Sequence, residues 1–224
     1  MTERKKYLVA VAGGSGSRMG SDIPKQFLLL DGVPVLIRSI SRFLDAQPGI
    51  KLIVALPRTQ VPLWKDLCER HAFTCPHIVV PGGITRYHSV KNALEKVPGG
   101  ALVAIHDGVR PLVSQTLIKE MFAAMDSHRA LVPALPVTDT LKSRDGSAPD
   151  PDRSAFVAVQ TPQIFRSEDI KEAYSSVGYS TAFTDDASVA RAHGIPVDFF
   201  PGEKFNIKIT VPEDLRLAEL LLTL

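Results

Sequence analysis

The sequence predicts an α/β fold: an open, doubly wound, mostly parallel sheet with helices on both faces and a β-arm projecting from it. Three observations predict it. Short, almost wholly apolar runs recur along the 224 residues, as strands buried on both faces do. Stretches with helical spacing separate these runs, which is the alternation of a parallel sheet. From Thr138 to Gln163 the rhythm stops, and Asp-Gly and Pro-Asp-Pro turn signals take over. With right-handed crossovers, the first two observations give a Rossmann-like architecture. No linker or internal repeat divides the chain, so residues 1–224 read as one domain with an arm at 138–163.

The strands come in order as "KYLVAVA", "IKLIVALP", "HIVVP", "ALVAIHD" and "RALVPALPV". Between them, Leu36, Ile37, Ile40, Phe43 and Leu44 mark one helical stripe, and Val90, Ala93, Leu94 and Val97 a second. Leu117, Ile118, Met121, Phe122 and Met125 mark a third, with Ser114 placed to cap it. These stripes are core. After the arm, short helices are expected near 167–177 and 184–193, then a strand at "KFNIKIT". A last helix opens at Thr210-Val-Pro-Glu213, whose spacing is that of a capping box with Pro212 in the first turn.

Composition excludes several classes. Hydrophobic residues make up 45% of the chain and charged residues 22%, the usage of a globular protein. A net charge of +2 gives no footprint for nucleic acid. No apolar stretch reaches the roughly 18 residues of a membrane span, and the N-terminus lacks a cleavable leader pattern, so a cytoplasmic protein is expected. Cys68 and Cys75, with His71 and His77, sit in "CERHAFTCPH", which could be misread as a zinc set. The pattern there runs from a helix into a strand, so the four side chains diverge, and a reduced structural pair is the expectation.

The functional signal begins directly after the first strand, in "AGGSGSRMGSDIPKQFLLLDG". Glycines let backbone N–H groups approach phosphates. Arg18 and Lys25 add a forked guanidinium and a compact ammonium, two complementary ways to hold a triphosphate. A Walker loop fails because five residues beyond Gly13 and Gly14 stand Arg18 and Met19. A dinucleotide fingerprint fails because Gly20 is one residue late and "ALPRTQ" offers no ribose-binding acid. An NAD-dependent reductase is thereby set aside. A non-catalytic nucleotide-binding regulator stays open at this point.

The loop resembles the signature of the sugar-alcohol-phosphate cytidylyltransferases, most closely the branch acting on methylerythritol phosphate in non-mevalonate isoprenoid synthesis. The resemblance continues in order through "PGGITRYHSV", "HDGVRPL", "PVTDTLK", "QTPQIF", "TDDASV" and "FNIKIT". Ribitol-5-phosphate cytidylyltransferases share nearly all of these, and "PVTDTLK" leans toward the methylerythritol branch. Nucleotide-sugar pyrophosphorylases open similarly but read Pro-Lys-Pro where this chain has Pro24-Lys25-Gln26.

The resemblance implies roles. Arg18, Lys25 and Lys208 hold the triphosphate and stabilise charge building at its α-phosphorus. Ala12, Gly13, Gly14, Gly83, Arg86 and Ser89 form the CTP site, reading cytosine and ribose largely through backbone groups. Asp107, Arg110, Thr140, Arg153, Thr161 and Thr184 line the sugar-alcohol phosphate, with Asp107 accepting hydroxyl protons. Mg²⁺ is expected on the CTP phosphates, with no protein ligand named. A homodimer is implied, with Thr140 and Arg153 of one arm reaching the partner's substrate. One departure stands out: the family often reads "HDAAR" or "HDAVR", so Gly108 is expected to remove a methyl group near the ribose.

Overall fold

The computed structural model describes residues 4–14, 23–147 and 149–223. Arg18 therefore lies outside the described residues. The elements are β1 (Lys6–Val11), β2 (Leu29–Leu30), β3 (Val33–Pro34), α1 (Val35–Ala46), β4 (Lys51–Leu56), α2 (Val61–Arg70), β5 (His77–Pro81), α3 (Arg86–Leu94) and β6 (Leu102–Asp107). They continue with α4 (Gln115–Ala124), β7 (Ala130–Pro136), β8 (Val157–Val159), β9 (Gln163–Arg166), α5 (Ser167–Ser176), α6 (Asp186–Ala192), β10 (Asp198–Pro201) and α7 (Pro212–Leu221).

The main sheet runs β10-β7-β9-β6-β1-β4-β5, with β8 added on β7. The β1–β4, β1–β6, β4–β5 and β7–β10 pairs are parallel, whereas β9 lies antiparallel between β6 and β7. Alternation within each strand sorts the core into two layers. Leu8, Ala10, Leu52, Val54, Leu102 and Ala104 face α1, α2 and α4, where Ile40, Phe43, Trp64, Ile118 and Met121 are buried. Val9, Val11, Ile53, Ala55, Val103 and Ile105 face the other way, onto Val90, Ala93, Ile170 and Val189 of α3, α5 and α6. The three helical stripes read from the sequence are these core faces. No helix among the described residues is long and apolar enough to cross a membrane.

Helix starts follow local chemistry. The Ser114 and Thr85 hydroxyls accept from the backbone N–H of Leu117 and His88, capping α4 and α3. At α7 the expected box is displaced by one residue. Asp214, not Glu213, accepts from the N–H groups of Thr210 and Val211 and from the Thr210 hydroxyl.

The segment Thr138–Gln163 is a long hairpin. The chain leaves β7 at Pro136 and returns as β8, paired antiparallel through Pro136↔Val157 and Ala134↔Val159. The Arg153 guanidinium donates to the Thr138 carbonyl at 2.6 Å and closes its base. "KFNIKIT" is the clear miss. Residues 204–210 form no strand, because β10 already occupies the sheet edge beside β7 and leaves the segment to be held by side chains.

His77 is spent on packing. Its Nε2 accepts from the Trp64 indole at 3.0 Å, while its Nδ1 lies 2.8 Å from the Cys75 carbonyl. Cys68 and Cys75 are free thiols, and burial pushes the Cys68 thiol up to about 11.

Candidate functional site

Ligands of open α/β sheets bind beyond the carboxyl ends of the strands, and a cavity of about 280 Å³ lies there. β1 delivers Val11 to it and the following loop Ala12, Gly13 and Gly14. The turn at Lys25–Phe27 delivers Lys25 and Gln26, the loop after β5 Gly83, and the start of α3 Arg86 and Ser89. β6 delivers Asp107, and the irregular segment after β10 delivers Lys208. Nine residues separated in sequence by nearly two hundred positions, all singled out beforehand, thus share one wall: Ala12, Gly13, Gly14, Lys25, Gly83, Arg86, Ser89, Asp107 and Lys208.

Asp107 is the hub. It is 7% exposed, and Lys208 Nζ stands 3.0 Å from it, Arg86 Nε 3.4 Å and Arg110 Nε 3.5 Å. Burial alone would raise its pKa. The Arg86, Lys208 and Arg110 charges outweigh that and hold the carboxyl well below the usual carboxylate range. Behind it, the Asp107 N–H donates to the Thr161 hydroxyl at 3.1 Å, and that hydroxyl lies 3.1 Å from His106 Nδ1. The Arg110 carbonyl can only accept, so His106 Nε2–H donates to it at 3.2 Å, and Nδ1 of the neutral ring is left to accept from the Thr161 hydroxyl. Desolvation pushes His106 down to about 4, so it is neutral at pH 7.

Two elements shape the mouth. Arg86 forks over Asp186 at 2.9 and 2.7 Å, and Tyr174 donates to the same carboxylate at 2.7 Å. Its guanidinium is a bolt between α3 and α6 more than a free ligand. The Ser89 hydroxyl accepts from the Gly83 N–H and donates to the Thr85 carbonyl, both at 3.0 Å, which fixes the Gly82-Gly83 turn. A Cβ at Gly83 would stand 2.3 Å from His88 Cβ, so that position excludes any side chain. Gly13 and Gly14 differ. Among the described residues a Cβ there would meet its nearest neighbours, Ser89 Oγ and Lys25 Cε, at 3.6 and 3.7 Å, which is ordinary contact.

The structure does not bring every expected residue to the cavity. Arg110 lies beneath it, donating to the Asn206 carbonyl at 2.6 Å. Thr161 is buried behind Asp107 and does not line it. Thr184 is exposed in the loop before α6, and Thr140 and Arg153 are exposed on the arm. Gly108 also corrects its expectation. A Cβ there would lie 2.6 Å from Leu36 Cδ1, so the missing methyl is compensated by core packing from α1 and opens no space for a ribose.

Sequence reasoning missed Gln26, Asp186, Gln160 and Asn206. Gln26 donates to the Ala12 carbonyl at 2.9 Å and to Gln60 Oε1 at 2.7 Å, tying the Lys25 turn to the end of β1. Asp186 sat unnoticed beside Thr184 in "TDDASV". The signal that could have found it is the need of a half-buried Arg86 for a buried counter-charge.

A larger cavity, about 790 Å³, borders Pro111, Leu112 and Ser114 beside Arg38, Glu203 and Phe205. Two of its charged side chains are engaged by neighbouring groups. Arg38 holds the Leu30 carbonyl and Asp31, and Glu203 holds Ser114. The glycine loop and both expected lysines, Lys25 and Lys208, line the smaller cavity, which makes it the candidate nucleotide site.

Comparison with known proteins gives the family. The profile of the family described as "IspD: 2-C-methyl-D-erythritol 4-phosphate cytidylyltransferase" matches residues 7–224. The chain is 49% identical over 224 residues to the 2-C-methyl-D-erythritol 4-phosphate cytidylyltransferase of Porphyromonas gingivalis, covering 99% of both. It is 44% identical to that of Bacteroides thetaiotaomicron, over 97% of this chain and 100% of that one. Among solved structures it superposes on the Thermus thermophilus enzyme with a TM-score of 0.75 and 32% identity, covering 99% of this chain and 100% of that one. It also matches the bifunctional IspDF of Campylobacter jejuni (TM-score 0.81, 29% identity) over 95% of itself and 53% of that longer chain. The chain belongs to the 2-C-methyl-D-erythritol 4-phosphate cytidylyltransferase family.

Proposed function

We propose that the protein joins CTP and 2-C-methyl-D-erythritol 4-phosphate, forming 4-diphosphocytidyl-2-C-methyl-D-erythritol and pyrophosphate. The observation that carries this reading is the convergence of Lys25 and Lys208 on one cavity whose floor is the Gly13-Gly14 backbone. Glycines at these two positions let a ligand's phosphates press against the backbone N–H groups.

The chemistry asks little of the protein. A phosphate monoester has its second pKa near 6 and is mostly a dianion at pH 7. Its oxygen attacks the α-phosphorus of CTP in line. A new P–O bond forms, the α–β P–O bond breaks, and pyrophosphate leaves with the electron pair. No proton moves, so no general base is required. The cost lies in bringing two anions together, and positioning with charge neutralisation carries such reactions. Lys25, Lys208 and Arg18 supply the positive charge. Asp107 holds Lys208 at 3.0 Å in place for it.

Mg²⁺ fits as a partner of the nucleotide. Asp107 is the one carboxylate among the described residues lining the cavity, and three cations already surround it. The residues present therefore leave the ion to the triphosphate oxygens, where it supplies further charge neutralisation. We also read the chain as a cytoplasmic homodimer. The arm's Phe156, Val157 and Val159 are 48%, 41% and 39% exposed, apolar surface that a second copy would cover. In that dimer Thr140 and Arg153 serve the partner's substrate phosphate.

The test is pyrophosphate release from CTP and Mg²⁺ with 2-C-methyl-D-erythritol 4-phosphate, run beside ribitol 5-phosphate. Release with the first alone is expected. Release with ribitol phosphate alone would move the protein to the other branch. Binding of CTP with no release from either would make it a regulator.

A further inference from the structure

Lys208 has no strand to hold it. Residues 204–210 make no ladder hydrogen bonds, yet an ammonium that stabilises a transition state must be held within a fraction of an ångström. Downstream, Ile209 is buried and its N–H donates to the Val109 carbonyl at 2.9 Å. Upstream, two buried amides do the work. The Asn206 side chain, 0% exposed, donates from Nδ2 to the Thr161 carbonyl at 2.9 Å. Gln160, 8% exposed, accepts from the Glu203 N–H at 3.1 Å and donates to the Glu203 carbonyl at 2.8 Å. Asn206 Nδ2 also lies 3.4 Å from Gln160 Oε1.

This pairing has a fixed sense. Both carbonyl partners are acceptors, so the two amide NH₂ groups cannot be turned around without setting oxygen against oxygen. Asn206 Oδ1 is left buried with no partner, a burden that an ordinary core position would shed by carrying an apolar residue. The Asn206 anchor also leads to the chemistry. Thr161, whose carbonyl it holds, receives the Asp107 N–H on its hydroxyl, and Asp107 holds Lys208. Lys208 is thus tied twice to Thr161, through its own backbone segment and through its counter-ion.

We propose that Asn206 and Gln160 are positioning residues for Lys208 in the transfer step, acting without touching either substrate. The inference rests on the reading of Lys208 given above.

A double-mutant cycle tests it, with kcat and KM for CTP measured per folded site and the folded fraction taken from a urea melt on each sample. Asn206→Ala in the wild type is expected to lower kcat about 10- to 100-fold with KM for CTP changed less than about threefold, since Lys25 and the glycine loop are untouched. In the Lys208→Ala background the same change should cost less than about threefold more, because its target is gone. Gln160→Ala breaks the clip from the other side and should behave alike, so the cycle can be read even if one variant fails to fold. A merely structural role would lower the urea midpoint and leave the kcat loss per folded site equal in both backgrounds, which would overturn the inference. A wild-type rate for Lys208→Ala alone would instead sink the reading of Lys208. The two failures are distinct.

Discussion

The candidate nucleotide cavity and the arm both carry paired charges, and they pair them in opposite ways. At the cavity, Asp107 and Arg110 have side chains only 10% and 11% exposed, and Arg86 is tied to two carboxylates. On the arm, the Lys142–Asp150 pair is 65% and 58% exposed. A buried charge missing its partner costs several kcal/mol, whereas an exposed pair is worth roughly 0–1 kcal/mol. The cavity's charges are therefore fixed by their own chain, and burial forces each to have a partner. The arm is held at its base by the β7–β8 ladder and the Arg153–Thr138 hydrogen bond, and its exposed Lys142–Asp150 pair adds little to that.

Breaking the two regions should give very different results. Lys25→Ala is expected to cut kcat by about 10²–10³, the usual loss when a group stabilising transition-state charge is removed. Arg18→Ala should do the same if the loop works as read. Lys142→Ala, on the arm, should leave kcat within about threefold and the urea midpoint unchanged. Steady-state rates with saturating CTP check all three. Wild-type turnover in both Lys25→Ala and Arg18→Ala would remove the basis for the site.

The proposed dimer, in which the arm would serve the partner's site, gives the next largest effect. Arg153→Ala and Lys25→Ala should each be nearly inactive alone. When subunits exchange at random in an equal mixture, about half the dimers are mixed, and each of these has one site with both residues intact. Recovery should approach about a quarter of the wild-type rate. Labelled subunits that demonstrably exchange while activity stays at the level of the parents would mean that Arg153 serves its own chain.

The same contrast explains what could be read without a structure. Strands and helical stripes were legible because burial on both sheet faces imposes a pattern, as in Leu8, Ala10 and Leu52 against Val9, Val11 and Ile53. The cavity-lining residues were legible through the family resemblance, whose short motifs gather at this cavity. Asp186, Gln160 and Asn206 were not, since their partners lie 100, 43 and 45 residues away in Arg86, Glu203 and Thr161. "KFNIKIT" misled because the alternation of Phe205, Ile207 and Ile209 resembles a one-faced strand, whereas the residues that are buried are Asn206 and Ile209, three apart, and Phe205 is exposed. Alternation also does not report whether a neighbouring strand is free to pair.

Glycines sharpen the comparison at the level of stability. At Gly83 an added Cβ would stand 2.3 Å from His88 Cβ and 3.0 Å from the His88 carbonyl carbon, atoms that cannot rotate away. Gly83→Ala should cost about 3 kcal/mol and raise KM for CTP. At Gly146 on the arm the space is open and the only obstacle is φ +70°, so Gly146→Ala should cost about 1 kcal/mol and leave KM alone. Urea melts and CTP titrations separate the two. Equal losses would mean the cavity is no better specified than the arm.

Acid separates the regions most gently. Burial pushes His106 down to about 4, and it does so because the folded state favours the neutral ring. No stability is lost above the unfolded value near 6.5; below it the unfolded chain takes up the proton first, and up to about 3 kcal/mol goes by pH 4. Asp107 acts in the opposite sense. Its pKa is held below the usual range, so its contribution is present above about pH 4 and is lost only as the pH falls further. The arm's Asp145 is also depressed, by hydrogen bonds from Ser147 and Ser143, but it is fully exposed and should leave no mark on the melt. The urea midpoint should thus begin to fall below about pH 6.5 in the wild type, and His106→Asn should flatten that first limb while leaving the one below pH 4. Turnover has a different acid limb, near pH 6, set by the second ionisation of the attacking phosphate. Measured at a temperature where the enzyme stays folded, that limb should not move in His106→Asn. A limb that shifts with the substitution would place a protein base in the reaction and remove the phosphate dianion as the unaided nucleophile.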